Sequence, residues 1–133
     1  RLPNTLIGGG TVFVGGLLGG AESTGDWVTV SLHSLSVIAF MGCWNTFNDI
    51  MDIDVDRNNC PDRPLPAGRV SIDEARSFAT ALLTLSVIGL LGAAGWVSYN
   101  GMDLSAWLPS LPIWFSALLL MVHYEFEAAT VSD

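Results

Sequence analysis

The chain contains no lysine. Its positive charge comes from five arginines set against thirteen acidic residues, a formal net charge of −8. A surface that gathers phosphates along a nucleic acid has almost nothing to build on here, so nucleic acid is excluded as a partner. Cysteine is as scarce. Cys43 lies in an apolar segment and Cys60 in a polar one, without zinc-site spacing or a disulfide framework, and both are read as small structural residues. Internal repeats and low-complexity tracts are also missing. The opening "RLPNTLIGG" is followed by no clean A-x-A-like cleavage site, so the first apolar stretch is expected to be a retained span.

Apolar residues, by contrast, make up half of the 133 positions, and the charges are crowded into a few short segments. That clustering is what loops between membrane spans look like. The reading is an all-α membrane protein of about four transmembrane helices, with spans near 3–21, 28–47, 75–99 and 104–124 and a polar connection over 48–74. A bilayer core of ~30 Å takes ~20 helical residues, which leaves the first span short. Its many glycines suit close packing inside a bundle.

Arg57, Arg63, Arg69 and Arg76 all fall in or just after the central connection, whereas "ESTGD" (22–26) and "NGMD" (100–103) carry no basic residue. Positive residues mark the cytoplasmic side, so the central connection, and with it Arg1 and the N-terminus, is expected inside. Trp27, Trp44, Trp96, Tyr99, Trp107 and Tyr124 lie near span boundaries, as interfacial aromatics do. Pro109 and Pro112 predict a kink or a late start in the fourth span. His33, mid-span among serines, is read as a hydrogen-bonded structural residue.

The densest polar feature is "NTFNDIMDIDVDRNNCPDRPLPAGRVS" (45–71). If the second span continues as helix past Trp44, then Asn45, Asp49, Asp52 and Asp56 follow steps of four, three and four and share one face, with Asn48 beside Asp52. Like charges crowded at the mouth of a bundle repel unless a cation joins them. Oxygen ligands without His or Cys select Mg²⁺ or Ca²⁺ over zinc, and Mg²⁺ commonly takes one or two carboxylates plus phosphate oxygens. Arg57, Arg63 and Arg69 could grip the same phosphates. A calcium EF-hand is excluded by spacing: "DIDVDRNNCPDR" places Arg57 where that loop needs Gly and Arg63 where it needs Glu. The bland alternative is a solvated acidic loop on a non-catalytic four-span protein, binding a cation only for structure or assembly.

Asn48, Asp49, Asp52 and Asp56 spell N-D-x-x-D-x-x-x-D, followed by "RNNCPDRPLPAGRVS" (57–71) with Asn59, Pro61, Arg63, Pro64, Leu65, Pro66, Gly68, Val70 and Ser71 in order. This resembles the first Asp-rich motif and loop of the UbiA superfamily of intramembrane prenyltransferases, and "RLPNTL" (1–6) resembles that family's first-helix start. The resemblance implies a helical bundle around a lipid-open cavity, of which these residues are the N-terminal half. It implies two Asp-rich motifs holding Mg²⁺ on a prenyl diphosphate, and a lipid-soluble acceptor drawn from the bilayer. Carried over by motif position, Asn48, Asp49, Asp52 and Asp56 are metal ligands, with the three aspartates catalytic; Asn45, Asn48, Arg57 and Arg63 contact substrate. No second Asp-rich motif occurs up to Asp133, and Asp103 stands alone, so a fragment of a longer chain is expected, inactive by itself. An acidic, lysine-free composition like that of salt-loving archaea favours geranylgeranyl transfer in ether-lipid synthesis over a quinone or haem acceptor.

Overall fold

The computed structural model describes residues 2–131; Arg1, which bears on the orientation of the N-terminus, and Ser132–Asp133 lie outside the described residues. The elements are α1 (Leu2–Leu18), α2 (Thr24–Met51), α3 (Ile53–Asn59), α4 (Ile72–Tyr99), a 3-10 turn (Leu104–Ala106) and α5 (Ser110–Val131). Among the described residues there is no strand. They fall into two compact units, one reaching Ala93 and one starting at Ala94.

In the first unit, α2 begins four residues earlier than hydropathy suggested, because "STGD" is a helix start and not a loop. Ser23 Oγ accepts from the Asp26 N–H (3.1 Å) and Asp26 Oδ2 accepts from the Ser23 N–H (2.9 Å), a reciprocal capping box. The same device starts α4: Glu74 N–H donates to Ser71 Oγ (3.2 Å), and the Ser71 N–H donates back to Glu74 Oε2 (2.8 Å). Both caps satisfy amide donors that would otherwise be stranded at a helix end.

Helix packing in this unit runs through small side chains. Ala39, Ala75, Ala79, Cys43, Ser36 and Ser86 are buried beside Phe40, Trp44 and Leu90, while Leu6, Ile7, Val14, Ile88 and Leu91 point outward. A water-soluble bundle would reverse that pattern; in a bilayer, where the tails are as apolar as leucine, association depends on close contact and interhelical hydrogen bonds. At the α2–α4 crossing Ser36 Oγ donates to the Ser86 carbonyl (2.8 Å) and lies 3.1 Å from Ser86 Oγ. A Cβ on Gly89 would sit 2.9 Å from the Leu32 carbonyl oxygen and 3.0 Å from the Ser36 amide nitrogen, so only glycine lets these backbones meet.

At the α1–α2 crossing, Ser34 Oγ donates to the Gly9 carbonyl (3.0 Å) and Asn45 Nδ2 to Thr5 Oγ1 (3.0 Å). Phe13 and Trp27 stack at 6.2 Å. Trp44, expected at the interface, is buried between Phe40 and Phe47 (ring centroids 6.1 and 5.5 Å), so its placement reflects packing. His33 Nδ1 meets the Thr29 carbonyl at 2.9 Å, the local bond expected of a structural histidine.

In the second unit, Asp103 caps the 3-10 turn, accepting from the Ser105 hydroxyl (2.6 Å) and N–H (2.9 Å). Those bonds hold its carboxyl below the usual range. α5 starts only at Ser110, so Pro109 precedes it and Pro112 sits in its first turn, where a backbone N–H would have no intrahelical acceptor to bond. The prolines mark a late start.

Three helical segments, Thr24–Met51, Ile72–Tyr99 and Leu104–Tyr124, are long and apolar enough to cross a membrane. With 17 residues α1 is shorter, ~25 Å at ~1.5 Å per residue. The chain is an all-helical, multi-pass membrane protein. At 28 residues α2 exceeds the ~20 that a bilayer core requires, so its last turns, with Asn45, Asn48 and Asp49, can extend beyond the apolar layer.

Candidate functional site

The site is built where α2 ends. The helix runs unbroken past Trp44 to Met51, then turns at Asp52 (φ −83°, ψ 4°) into the seven-residue α3. Hydrogen bonding nearly continues through the turn, since the Asp52 N–H reaches the Asn48 carbonyl (2.9 Å) and the Asp56 N–H the Asp52 carbonyl (2.8 Å). Aspartates suit such a place because their short carboxylates compete with helical bonding. The single continuous face implied by the four-three-four spacing is therefore replaced by two helices meeting at Asp52.

After α3 the chain makes a second compact turn. Ala67 N–H bonds to the Arg63 carbonyl (2.9 Å), Gly68 N–H to Leu65 (3.0 Å) and Arg69 N–H to Pro64 (2.9 Å). Gly68 closes it with φ +69°, a left-handed conformation that glycine adopts without Cβ strain. The two prolines fix φ on either side of Leu65. Arg69 also reaches the Asp62 carbonyl, tying the two ends of the loop together. "RPLPAGR" is thus a rigid platform that sets where the Arg63 side chain begins.

Arg63 reaches back from that platform to the carboxylates. Its Nη1 lies 2.5 Å from Asp56 Oδ2 and 3.7 Å from Asp49 Oδ1. The Asp56 side chain is only 10% exposed, against 37% for Asp49 and 41% for Arg63. Asp56, by hydrogen bond and by charge, pushes the guanidinium's pKa above its ordinary value. Asp49 and Asp56 belong to different helices yet converge on one cation.

The other sequence-predicted residues are placed differently. Asp52 is exposed at the helix junction. Asn48 is half-buried on the last turn of α2, and Asn45 spends its amide on Thr5 of α1. Arg57 pairs with Asp54 at 2.7 Å on the exposed side of α3. Among the described residues no three His, Cys, Asp or Glu side chains converge as a metal-binding group. The structure thus brings together Asp49, Asp56 and Arg63.

These three line a cavity of about 450 Å³ with Thr46, Glu74 and an apolar wall that includes Leu65, Val70 and Phe78. Glu74 and Phe78 join the site from α4, outside the Asp-rich motif and its loop. Glu74 was legible as the acid of an S-x-x-E cap, and Phe78 follows it by one helical turn. The arrangement sets a charged end, three carboxylates against one guanidinium, beside an apolar wall.

The UbiA prenyltransferase family matches residues 10–98. A digeranylgeranylglyceryl phosphate synthase of Methanococcus maripaludis is 35% identical over 88 residues, covering 66% of this chain and 32% of that protein. Proteins of the same name from Methanocaldococcus jannaschii and Ignicoccus hospitalis are 39% identical over 82 residues (59% and 29% of the two chains) and 41% over 86 (64% and 27%). The chain spans about a third of the length of these curated relatives. No solved structure matches it. Because the match covers more than half of the chain, from within α1 through α4, and contains Asp49, Asp56, Arg63 and the proline loop, the chain belongs to the UbiA prenyltransferase family.

Proposed function

We propose that the protein acts in the transfer of a prenyl group from a prenyl diphosphate to a lipid-soluble acceptor. The observation that carries this reading is the convergence of Asp49, Asp56 and Arg63 at one end of a cavity whose wall is otherwise largely apolar. Diphosphate and isoprenoid chain need those two surroundings side by side.

The residues present fit Mg²⁺. Two carboxylates already share one cation, the guanidinium, and an all-oxygen pair with room for water and phosphate is the donor set this ion prefers. Asp49 and Asp56 would hold it, with Asn48 and Asp52 at the same helix junction as further oxygen donors. The second Asp-rich motif implied by the resemblance would act from outside these residues. When bound, the ion supplies charge neutralisation to the leaving diphosphate.

The chain's own side chains then have separate tasks. Arg63 offers a planar fork to phosphate oxygens, and Arg57 is proposed as a second once it leaves Asp54. Leu65, Val70 and Phe78 hold the first isoprenoid carbons and keep water from the allylic centre. The C–O bond between prenyl C1 and the diphosphate breaks with its electron pair leaving on the diphosphate oxygen. The acceptor's hydroxyl oxygen bonds to C1 and releases its proton, giving an ether and diphosphate. For the acceptor we propose a prenylated glyceryl phosphate, supported by the shared name of the relatives and by the acidic, lysine-free composition. We place the Asp-rich helix junction and the N-terminus on the cytoplasmic side, supported by the arginines gathered around it.

The test is transfer by the full-length protein in membranes, using a radiolabelled prenyl diphosphate and varied Mg²⁺. Asp49→Asn and Asp56→Asn are each expected to lower the rate by roughly a hundredfold or more, the scale for loss of a preorganised charge partner. Wild-type rates in both variants would remove the carboxylates from the reaction. Supplying a quinone precursor, haem or a glyceryl phosphate lipid as acceptor decides the acceptor class.

A further inference from the structure

Arg63 occupies the place that the proposed reaction reserves for a metal. Its Nη1 stands 2.5 Å from Asp56 and 3.7 Å from Asp49, so a single guanidinium already offsets the repulsion between the two carboxylates. The other loop arginines are committed elsewhere: Arg57 to Asp54, and Arg69 to the Asp62 carbonyl. Asp56 Oδ2 cannot accept this short bond from Arg63 and at the same time bind a divalent ion along the same direction.

Two features make the arrangement exchangeable. The backbone at Arg63 is fixed by its N–H on the Cys60 carbonyl (3.1 Å) and its carbonyl under the Ala67 N–H (2.9 Å), so only the side chain needs to move. That side chain is 41% exposed and borders the cavity, which leaves it somewhere to go. Two carboxylates and one guanidinium carry a net charge of −1, so a divalent cation is still attracted to the pair while Arg63 is in place.

We propose that Arg63 is a displaceable counter-ion: it holds Asp49 and Asp56 together while metal is absent, yields them to the divalent cation, and then turns its guanidinium to the diphosphate. This rests on the metal role proposed for the two carboxylates and adds an order of binding to it. The metal enters first, and its arrival creates the arginine site for the second ligand. Diphosphate offered without metal meets an arginine whose charge is already satisfied and a pair of carboxylates that repel it.

The test tracks Arg63 by its chemical reactivity in the full-length protein, with phenylglyoxal modification mapped by mass spectrometry and Arg76 as the internal standard. Mg²⁺ alone is expected to speed Arg63 modification several-fold, and Mg²⁺ with inorganic pyrophosphate to slow it again. A rate unmoved or slowed by Mg²⁺ alone overturns the exchange. In parallel, Mn²⁺ binding is measured by paramagnetic resonance with no diphosphate present. Arg63→Gln is expected to tighten Mn²⁺ on the order of tenfold while weakening pyrophosphate in the presence of metal, the size of a close charge coupling. Arg63→Lys, which keeps the charge but not the fork, is expected to fall between, and serves if Arg63→Gln misfolds. Asp49→Asn and Asp56→Asn separate the exchange from the metal role beneath it. If they weaken Mn²⁺ while Arg63 reactivity ignores Mg²⁺, only the exchange fails. If they leave Mn²⁺ binding unchanged, the carboxylate–metal reading fails and the exchange with it.

Discussion

Two regions tie α2 to later parts of the first unit, and they do so by opposite means. At the α2–α4 crossing, uncharged groups meet: Ser36 donates to Ser86, and Gly89 lies against the Leu32 and Ser36 backbone. At the C-terminal end of α2, charged groups meet, with Asp49 and Asp56 sharing Arg63 beside a cavity. The difference comes from the solvent each region faces. Inside hydrocarbon, a charge is expensive and small residues give contact area, whereas at the polar boundary charged side chains can pair. One region is uncharged throughout; the other sets two carboxylates around one guanidinium.

The comparison can be broken from either side. The largest effect is expected at the charged end, where Asp49→Asn or Asp56→Asn removes roughly a hundredfold or more of prenyl transfer by the full-length protein while circular dichroism shows the helices intact. Next comes Gly89→Leu. Its Cβ would enter backbone atoms at 2.9–3.2 Å, which cannot yield as a side chain can, and the crossing is expected to lose about 1–3 kcal/mol or more in detergent unfolding.

Gly68→Ala forces a side chain into φ +69° and is expected to cost about 1–2 kcal/mol. Because it loosens the platform beneath Arg63, its signature is a raised KM for the prenyl diphosphate at little-changed kcat, read from initial rates. The smallest effect is Ser36→Ala, about 0.6 kcal/mol, the average for interhelical hydrogen bonds in membranes, with transfer within about threefold of wild type.

The charged end was more legible in the sequence than the neutral one. Asp49, Asp56 and Arg63 stand out because polar residues are rare in this chain and motif spacing survives in one dimension. The break at Asp52 was not legible, since a four-three-four pattern presumes an unbroken helix and nothing in the spacing shows where backbone bonding turns. The bond from the Asn45 amide to Thr5, forty positions earlier, was not legible either, a contact only folding creates. Trp44 was placed at the interface by its position in a hydropathy profile, which knows nothing of Phe40 and Phe47 on either side. The helix starts at Ser23 and Ser71 were written openly as S-x-x-D and S-x-x-E. Hydropathy windows pass over them because caps are polar by nature.

The most direct measurement compares the two regions in one assay. Full-length Asp49→Asn and Ser36→Ala proteins are purified alongside wild type, and prenyl transfer is recorded across a Mg²⁺ titration. The expected result is a loss of roughly a hundredfold or more for Asp49→Asn that added Mg²⁺ does not fully restore, with Ser36→Ala tracing the wild-type curve. An Asp49→Asn protein that matches wild type at every Mg²⁺ concentration would contradict the assignment of the α2–α3 carboxylates to the reaction.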